Sequence, residues 1–464
     1  MSVAEILPTK DSVIDVPELI AKHKLGAYQI WVLVICAILM FSSGFNMLTL
    51  GYMAPAVSAD LKLAPGALAQ VFFAMGLGSL LAAFIWGPVA DHIGRRTVIL
   101  TTLIGAVPFI YLCSTATSLT QLMWYAAFAN FCLAGPQYNC MALASDFMPR
   151  HLKVTLTVLV WTGFSVGTIL VSPYAAYVVG EAGWRDVYLF NALIPVILAV
   201  IAALWLPDSL RQLVARANAS ANATIAKTLA KMYPDQVISP TTRFISSEKR
   251  PQGFPVSQLF TEGRAVFTLL LWVMGFANMI ALMFMNSWLT TVLKNAGFTI
   301  EVAILIAAVV HVGGIIGGIC ISDAFDRFTR GRFYVLASAY ALAGLFVASV
   351  GYSGADLVWT TTAVFVAGFF LYGVQNSFNA VTAVLYPTAM RSTGASWGQG
   401  ISGIGQLVGP VLGGVLLSLH WSSSQLLYLI ALMPLASALC AAIMGIGHEA
   451  PESELEGPAA AGHK

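Results

Sequence analysis

Charge is what this sequence has least of: Asp, Glu, Lys and Arg make up 9% of its 464 residues, against roughly 25% in a soluble domain. With 58% hydrophobic residues beside so little charge, a soluble globule is excluded. Cysteine is scarce too. Cys36, Cys113, Cys132, Cys140, Cys320 and Cys440 all fall inside apolar blocks, with no CxxC pair and no metal-ligand spacing, which marks them as packing residues. The chain lacks a P-loop, a GxSxG and an HExxH pattern. No catalytic residue, cofactor or metal is therefore expected, and the chain does not read as an enzyme. The start holds Lys10, Asp11, Asp15, Glu18 and Lys22 and lacks a short apolar core with a small-residue cleavage site, so no cleaved signal peptide is indicated. A net charge of +2 points to no partner, and nucleic acid is not expected among them.

What the chain does have is long apolar blocks, each able to cross a hydrocarbon layer roughly 30 Å thick as a helix. They read as spans at 28–57, 68–90, 97–116, 120–146, 154–179, 187–206, 264–291, 299–322, 332–351, 358–386, 394–418 and 423–446. The fold class expected is an all-α membrane protein of twelve transmembrane helices. Basic residues favour the cytoplasmic side. With both termini cytoplasmic, only Lys62, Arg185 and Lys294 of the 23 Lys and Arg lie outside. A missed span would invert every later loop, so the charge asymmetry is an independent test of the count.

Between Leu206 and Arg264 the composition turns polar and basic, with Arg211, Arg216, Lys227, Lys231, Arg243, Lys249 and Arg250. This linker divides the spans six and six. The expected organisation is a cytoplasmic segment 1–27, a six-helix bundle 28–206, a linker 207–263 without a folded domain, a second bundle 264–446 and a tail 447–464. Two such bundles can rock to give alternating access. A faint repeat agrees: an acid followed by basic residues occurs at Asp91 to Arg96 after span 2 and at Asp323 to Arg332 after span 8.

Gly87-Pro-Val-Ala-Asp91-His92-Ile-Gly94-Arg95-Arg96 resembles the loop between spans 2 and 3 of the major facilitator superfamily. The resemblance implies that Gly87 permits close helix approach and that Asp91 faces the positive end of span 11 as a latch, with Arg95 and Arg96 in the same gating loop. Within that superfamily the chain is similar to the aromatic acid and proton symporters. The likeness rests on Tyr386-Pro387-Thr388-Ala-Met390-Arg391, on Gly405-x-x-x-Gly409-Pro410-x-x-Gly413-Gly414, on Gly183-Trp184-Arg185 and on Leu206-Pro207-Asp208-Ser209. It implies an inner-membrane carrier, expected as a monomer, that takes up a small organic, aromatic acid with protons. An uncoupled facilitator or an exporter of the same fold is the alternative, and a solute sensor would need a folded domain in the linker. The chain departs from that family in its membrane charges. Ser43-Gly44-Phe45-Asn46 stands where the family has Asp-Gly-Phe-Asp, and the expected arginines of spans 4 and 11 fall at Ala126 and Gly403.

Polar side chains are expensive in hydrocarbon and normally face the bundle interior. They collect here in spans 1, 4, 7 and 10, which in the superfamily line the central path. Asn46, Gln137, Tyr138, Asn139, Gln375 and Asn379 are the expected solute-facing set, Gln375 and Asn379 sharing a helix face at i and i+4. Phe45 and Trp288 are the aromatic candidates for stacking on a planar ring. His311, near the middle of span 8, is the candidate for proton coupling. Asp146 and Arg391, at inner ends of spans 4 and 10, are expected in cytoplasmic ion-pair or gate contacts.

Overall fold

A chain in lipid must satisfy its backbone hydrogen bonds internally, so apolar blocks of this length have helix as their accessible form. The computed structural model describes residues 13–23, 25–149, 153–216, 218–233, 242–245, 256–261, 263–328, 331–386 and 390–448. Its elements run β1 (Val13–Asp15), α1 (Val16–Lys22), α2 (Ala27–Asp60), α3 (Ala69–Ile93), α4 (Arg95–Thr115), α5 (Leu119–Asp146), α6 (Lys153–Glu181) and α7 (Trp184–Trp205). After these come α8 (Leu210–Arg216), α9 (Ala219–Met232) and β2 (Arg243–Ile245). The chain ends with α10 (Ala265–Asn295), α11 (Ile300–Arg327), α12 (Arg332–Tyr352), α13 (Leu357–Leu385), α14 (Arg391–Ser418) and α15 (Ser423–His448). Of the twelve long helices among the described residues, eleven are apolar enough by composition to cross a membrane. The twelfth, α5, falls short because Gln121, Asn130, Gln137 and Asn139 dilute it.

Contacts group the chain into two compact units. One is Met1–Val57 with Ala74–Pro251; the other is Ser58–Phe73 with Gln252–Lys464. In the first, α2 and α6 touch backbone to backbone: a Cβ added at Gly163 or Gly167 would collide with the carbonyl of Ala37 or Phe41, and one at Gly44 with that of Phe164. Gly78 of α3 lies on Ala127 of α5 in the same way, and Trp86 Nε1 donates to the Phe131 carbonyl at 2.8 Å. Small residues at these crossings let dispersion contacts replace the hydrophobic drive that lipid does not supply.

The second unit repeats the device. Cβ atoms at Gly405 and Gly409 of α14 would lie 2.5 and 2.6 Å from the Phe276 and Ile280 carbonyls of α10. The glycines are four residues apart and so are their contacts, as for Gly163 and Gly167 on Ala37 and Phe41. The glycine run of span 11 is thus a packing seam. Between α11 and α13 the contact is reciprocal: Gly313 and Gly317 meet the Phe365 and Phe369 carbonyls, and Gly368 meets that of Val310.

The linker carries short ordered elements among its described residues. β2 pairs in parallel with β1, Ile14 opposite Phe244, and α9 buries Ala221, Ile225, Leu229 and Met232 on one face. Those positions recur at the helical period, and the basic residues between them hide it from a reading by composition. The His23 ring lies 4.6 Å from that of Tyr233, closing the linker onto the segment before α2.

Candidate functional site

The expected polar residues differ in their burial and in the hydrogen bonds they make. Asn46 is buried and accepts from Asn191 Nδ2 at 3.0 Å, and the same Nδ2 reaches Thr49 Oγ1 at 3.4 Å. Asn139 donates to the Gly135 carbonyl at 2.9 Å, one turn earlier in its own helix. Both amides act as internal ties in this structure. Phe45 is buried against Phe41 and Tyr174, with ring centroids 5.6 and 6.2 Å away, which leaves neither face open to a solute. Gln137, half-buried, and Tyr138, 40% exposed, are the accessible pair of α5.

In the second unit the polar side chains meet across three helices at mid-span. Asn278 of α10 donates to Gln375 Oε1 of α13 at 2.8 Å. Tyr372 of α13 donates to Asn286 Oδ1 of α10 at 2.9 Å. His311 of α11 packs on the Tyr372 ring at 5.3 Å between centroids and is buried. Asn278 is fully buried, yet its Oδ1 has no hydrogen-bond partner among the described residues. Asn278, Asn286 and Tyr372 complete a cluster of which the expected site set held Gln375 and His311. Trp288 lies away from it, its Nε1 on the Pro410 carbonyl at 2.8 Å and its ring edge-on to Phe72. That indole is a strut, not a stacking platform. The side chains of Asn379 and Arg391 lie outside the described residues.

The gating residues sit at the linker side of the first unit. Arg95 Nη1 pairs with Asp146 Oδ2 at 3.0 Å, and Ser209 Oγ donates to the same oxygen. Asp146 is thus tied both to the Arg95 end of the turn between α3 and α4 and to the Leu206-Pro207-Asp208-Ser209 stretch. Arg96 Nη2 donates to the Ala203 carbonyl at 2.6 Å. Gln212 Nε2 reaches the Ala90 and Asp91 carbonyls, and Arg216 that of Ile93. Gly94, at φ 114°, takes a backbone form that L side chains resist. The Asp91 carboxylate is exposed, and a Cβ at Gly87 would meet nothing within 4 Å.

An apolar groove of about 670 Å³, lined by Val107, Pro108, Tyr111, Leu189, Phe190 and Val196 among others, offers little to orient a polar solute. The mid-span cluster does, in a chain whose charged side chains stay near helix ends. That division is the make-up of a multi-pass membrane carrier. A family model described as the Major Facilitator Superfamily matches residues 36–402, and the chain belongs to that superfamily. It is 33% identical over 444 residues to a gallate transporter of Pseudomonas putida, covering 95% of this chain and 97% of that one. It is 29% identical to the 4-hydroxybenzoate transporter PcaK of Pseudomonas aeruginosa, with 93% and 95% covered. To a benzoate transport protein of Acinetobacter baylyi it is 26% identical, with 88% and 87% covered. The chain is a membrane transport protein and not an enzyme, and its relatives carry aromatic acids.

Proposed function

We propose that this protein takes up a small aromatic acid across the inner membrane together with protons, by alternating access of its two helical units, with both termini cytoplasmic. The observation that carries the reading is the mid-span cluster of Asn278, Asn286, Tyr372 and Gln375. It gathers amide and hydroxyl groups of α10 and α13 at mid-span, of which Asn286, Tyr372 and Gln375 are half-buried, and relatives named for gallate, 4-hydroxybenzoate and benzoate support the class. Uptake of radiolabelled 4-hydroxybenzoate into proteoliposomes tests it. An inward proton gradient should drive accumulation, and Gln375→Ala should reduce it without reducing membrane insertion. Equilibration that ignores the gradient would favour the uncoupled facilitator.

The Asp91 carboxylate is exposed, and Gln212 contacts the carbonyl of the same residue. Its proposed role is in the conformational cycle. Asp91→Asn should slow turnover about tenfold, a barrier change of about 1.4 kcal/mol, with solute affinity retained. Initial rates over a concentration series separate the two, and an unchanged maximal rate would remove Asp91 from the cycle.

A further inference from the structure

The long helices keep their charges at their ends. Asp60 and Asp146 are last residues of α2 and α5, and Arg95, Lys153, Arg332 and Arg391 are first residues of α4, α6, α12 and α14. The deepest, Asp323, is four residues from the end of α11 at Arg327, to which it is ion-paired. Around the mid-span cluster the titratable groups are His311 from α11 and Tyr372 from α13, while α10 contributes the amides Asn278 and Asn286. Among the described residues, no Lys or Arg stands there to receive an anion, and no Asp or Glu to carry a proton.

Resting on the transport reading above, we propose that the solute is bound and carried in an electrically neutral form: a planar ring bearing an uncharged carbonyl group with its own hydrogen-bond donor. A protonated carboxylic acid and a primary carboxamide share that chemistry. The reason lies in the sign of the available groups. A carboxylate only accepts hydrogen bonds, and taking it out of water without a cation costs several kcal/mol. A carboxylic acid or an amide presents one acceptor beside one donor, the complement of a side-chain carboxamide such as Gln375. Asn278 Oδ1, buried and without a partner among the described residues, calls for a donor, which a carboxylate group does not have.

The consequence is a proton-coupled carrier whose proton rides on its cargo. Outside, the carboxylate takes up one proton to give the acid. The acid crosses, and inside it releases that proton and becomes the carboxylate again. Net movement is one anion and one proton, so the pH gradient drives accumulation with no acidic side chain taking part.

Binding to the purified full-length protein, read by tryptophan fluorescence across a pH series, tests this with benzoate, benzamide and benzenesulfonate. Benzamide should bind equally at every pH. Benzoate should weaken about tenfold for each pH unit above its own pKa, near 4 as for other carboxyls. Benzenesulfonate, which holds no proton, should fail to compete. That slope belongs to the solute and should persist in His311→Ala whatever the substitution does to affinity. A benzoate affinity flat with pH, sulfonate binding as tight as benzoate, or a slope abolished in His311→Ala would each overturn the inference. Gradient-driven accumulation of 4-hydroxybenzoate without binding of benzamide would sink the neutral-solute inference alone. Absence of both accumulation and binding would sink the transport reading with it.

Discussion

Asp146→Ala should lower the unfolding midpoint of the purified protein more than any single polar substitution at mid-span. The Arg95 and Asp146 side chains are only 13% and 7% exposed, so removing the carboxylate strands a guanidinium with little water to replace it. Breaking a buried pair from one side costs about 3–5 kcal/mol. The damage extends further, because Ser209 also donates to Asp146 and begins the segment whose Gln212 and Arg216 hold the loop between α3 and α4. Asp146→Asn, which keeps an acceptor for Ser209, should cost less. The paired replacement Arg95→Met with Asp146→Leu should recover much of the loss, since two apolar groups leave no charge behind. Thermal unfolding followed through the eleven tryptophans reads all three. A paired variant as unstable as Asp146→Ala would show that the packing, and not the uncompensated charge, sets the effect.

Which parts of this molecule could be read from sequence follows from which forces act locally. Span positions were legible because lipid thickness sets a length and hydrocarbon expels charge, both properties of a continuous stretch. The two halves of the cluster were not. Asn278 and Gln375 are 97 residues apart, and Tyr372 and Asn286 are 86 apart. Polarity flagged Gln375 without revealing its partner. The same blindness made Asn139 look solute-facing, although a carbonyl of its own helix claims it, and made Phe45 and Trp288 look like stacking platforms, although neighbours cover them. Asn191 escaped notice altogether: one amide in a helix that is largely apolar beyond its first turn stands out only once Asn46 and Thr49 are seen opposite it. Asp146 was recognisable as an ion-pair former by its place at a helix end, whereas its partner required the fold.

The other large effect expected is at a glycine. Gly317→Ala should destabilise the protein and weaken solute binding together, while Gly403→Ala should do neither. At Gly317 the added methyl would press on the Phe369 carbonyl, and backbone cannot rotate aside as a side chain would, so α11 and α13 must separate. Overpacking of this kind costs about 1–3 kcal/mol. Separation also moves Tyr372 and Gln375, which α13 carries to their bonds with Asn286 and Asn278, so affinity falls with stability. At Gly403 an added Cβ meets nothing within 4 Å, and replacing a helical glycine by alanine there should be neutral or stabilise by about 0.5–1 kcal/mol. Unfolding midpoints and 4-hydroxybenzoate binding measured on both variants decide the matter. Equal behaviour of the two would mean that the α11 and α13 seam tolerates a methyl, and that its glycines do not hold the cluster in register.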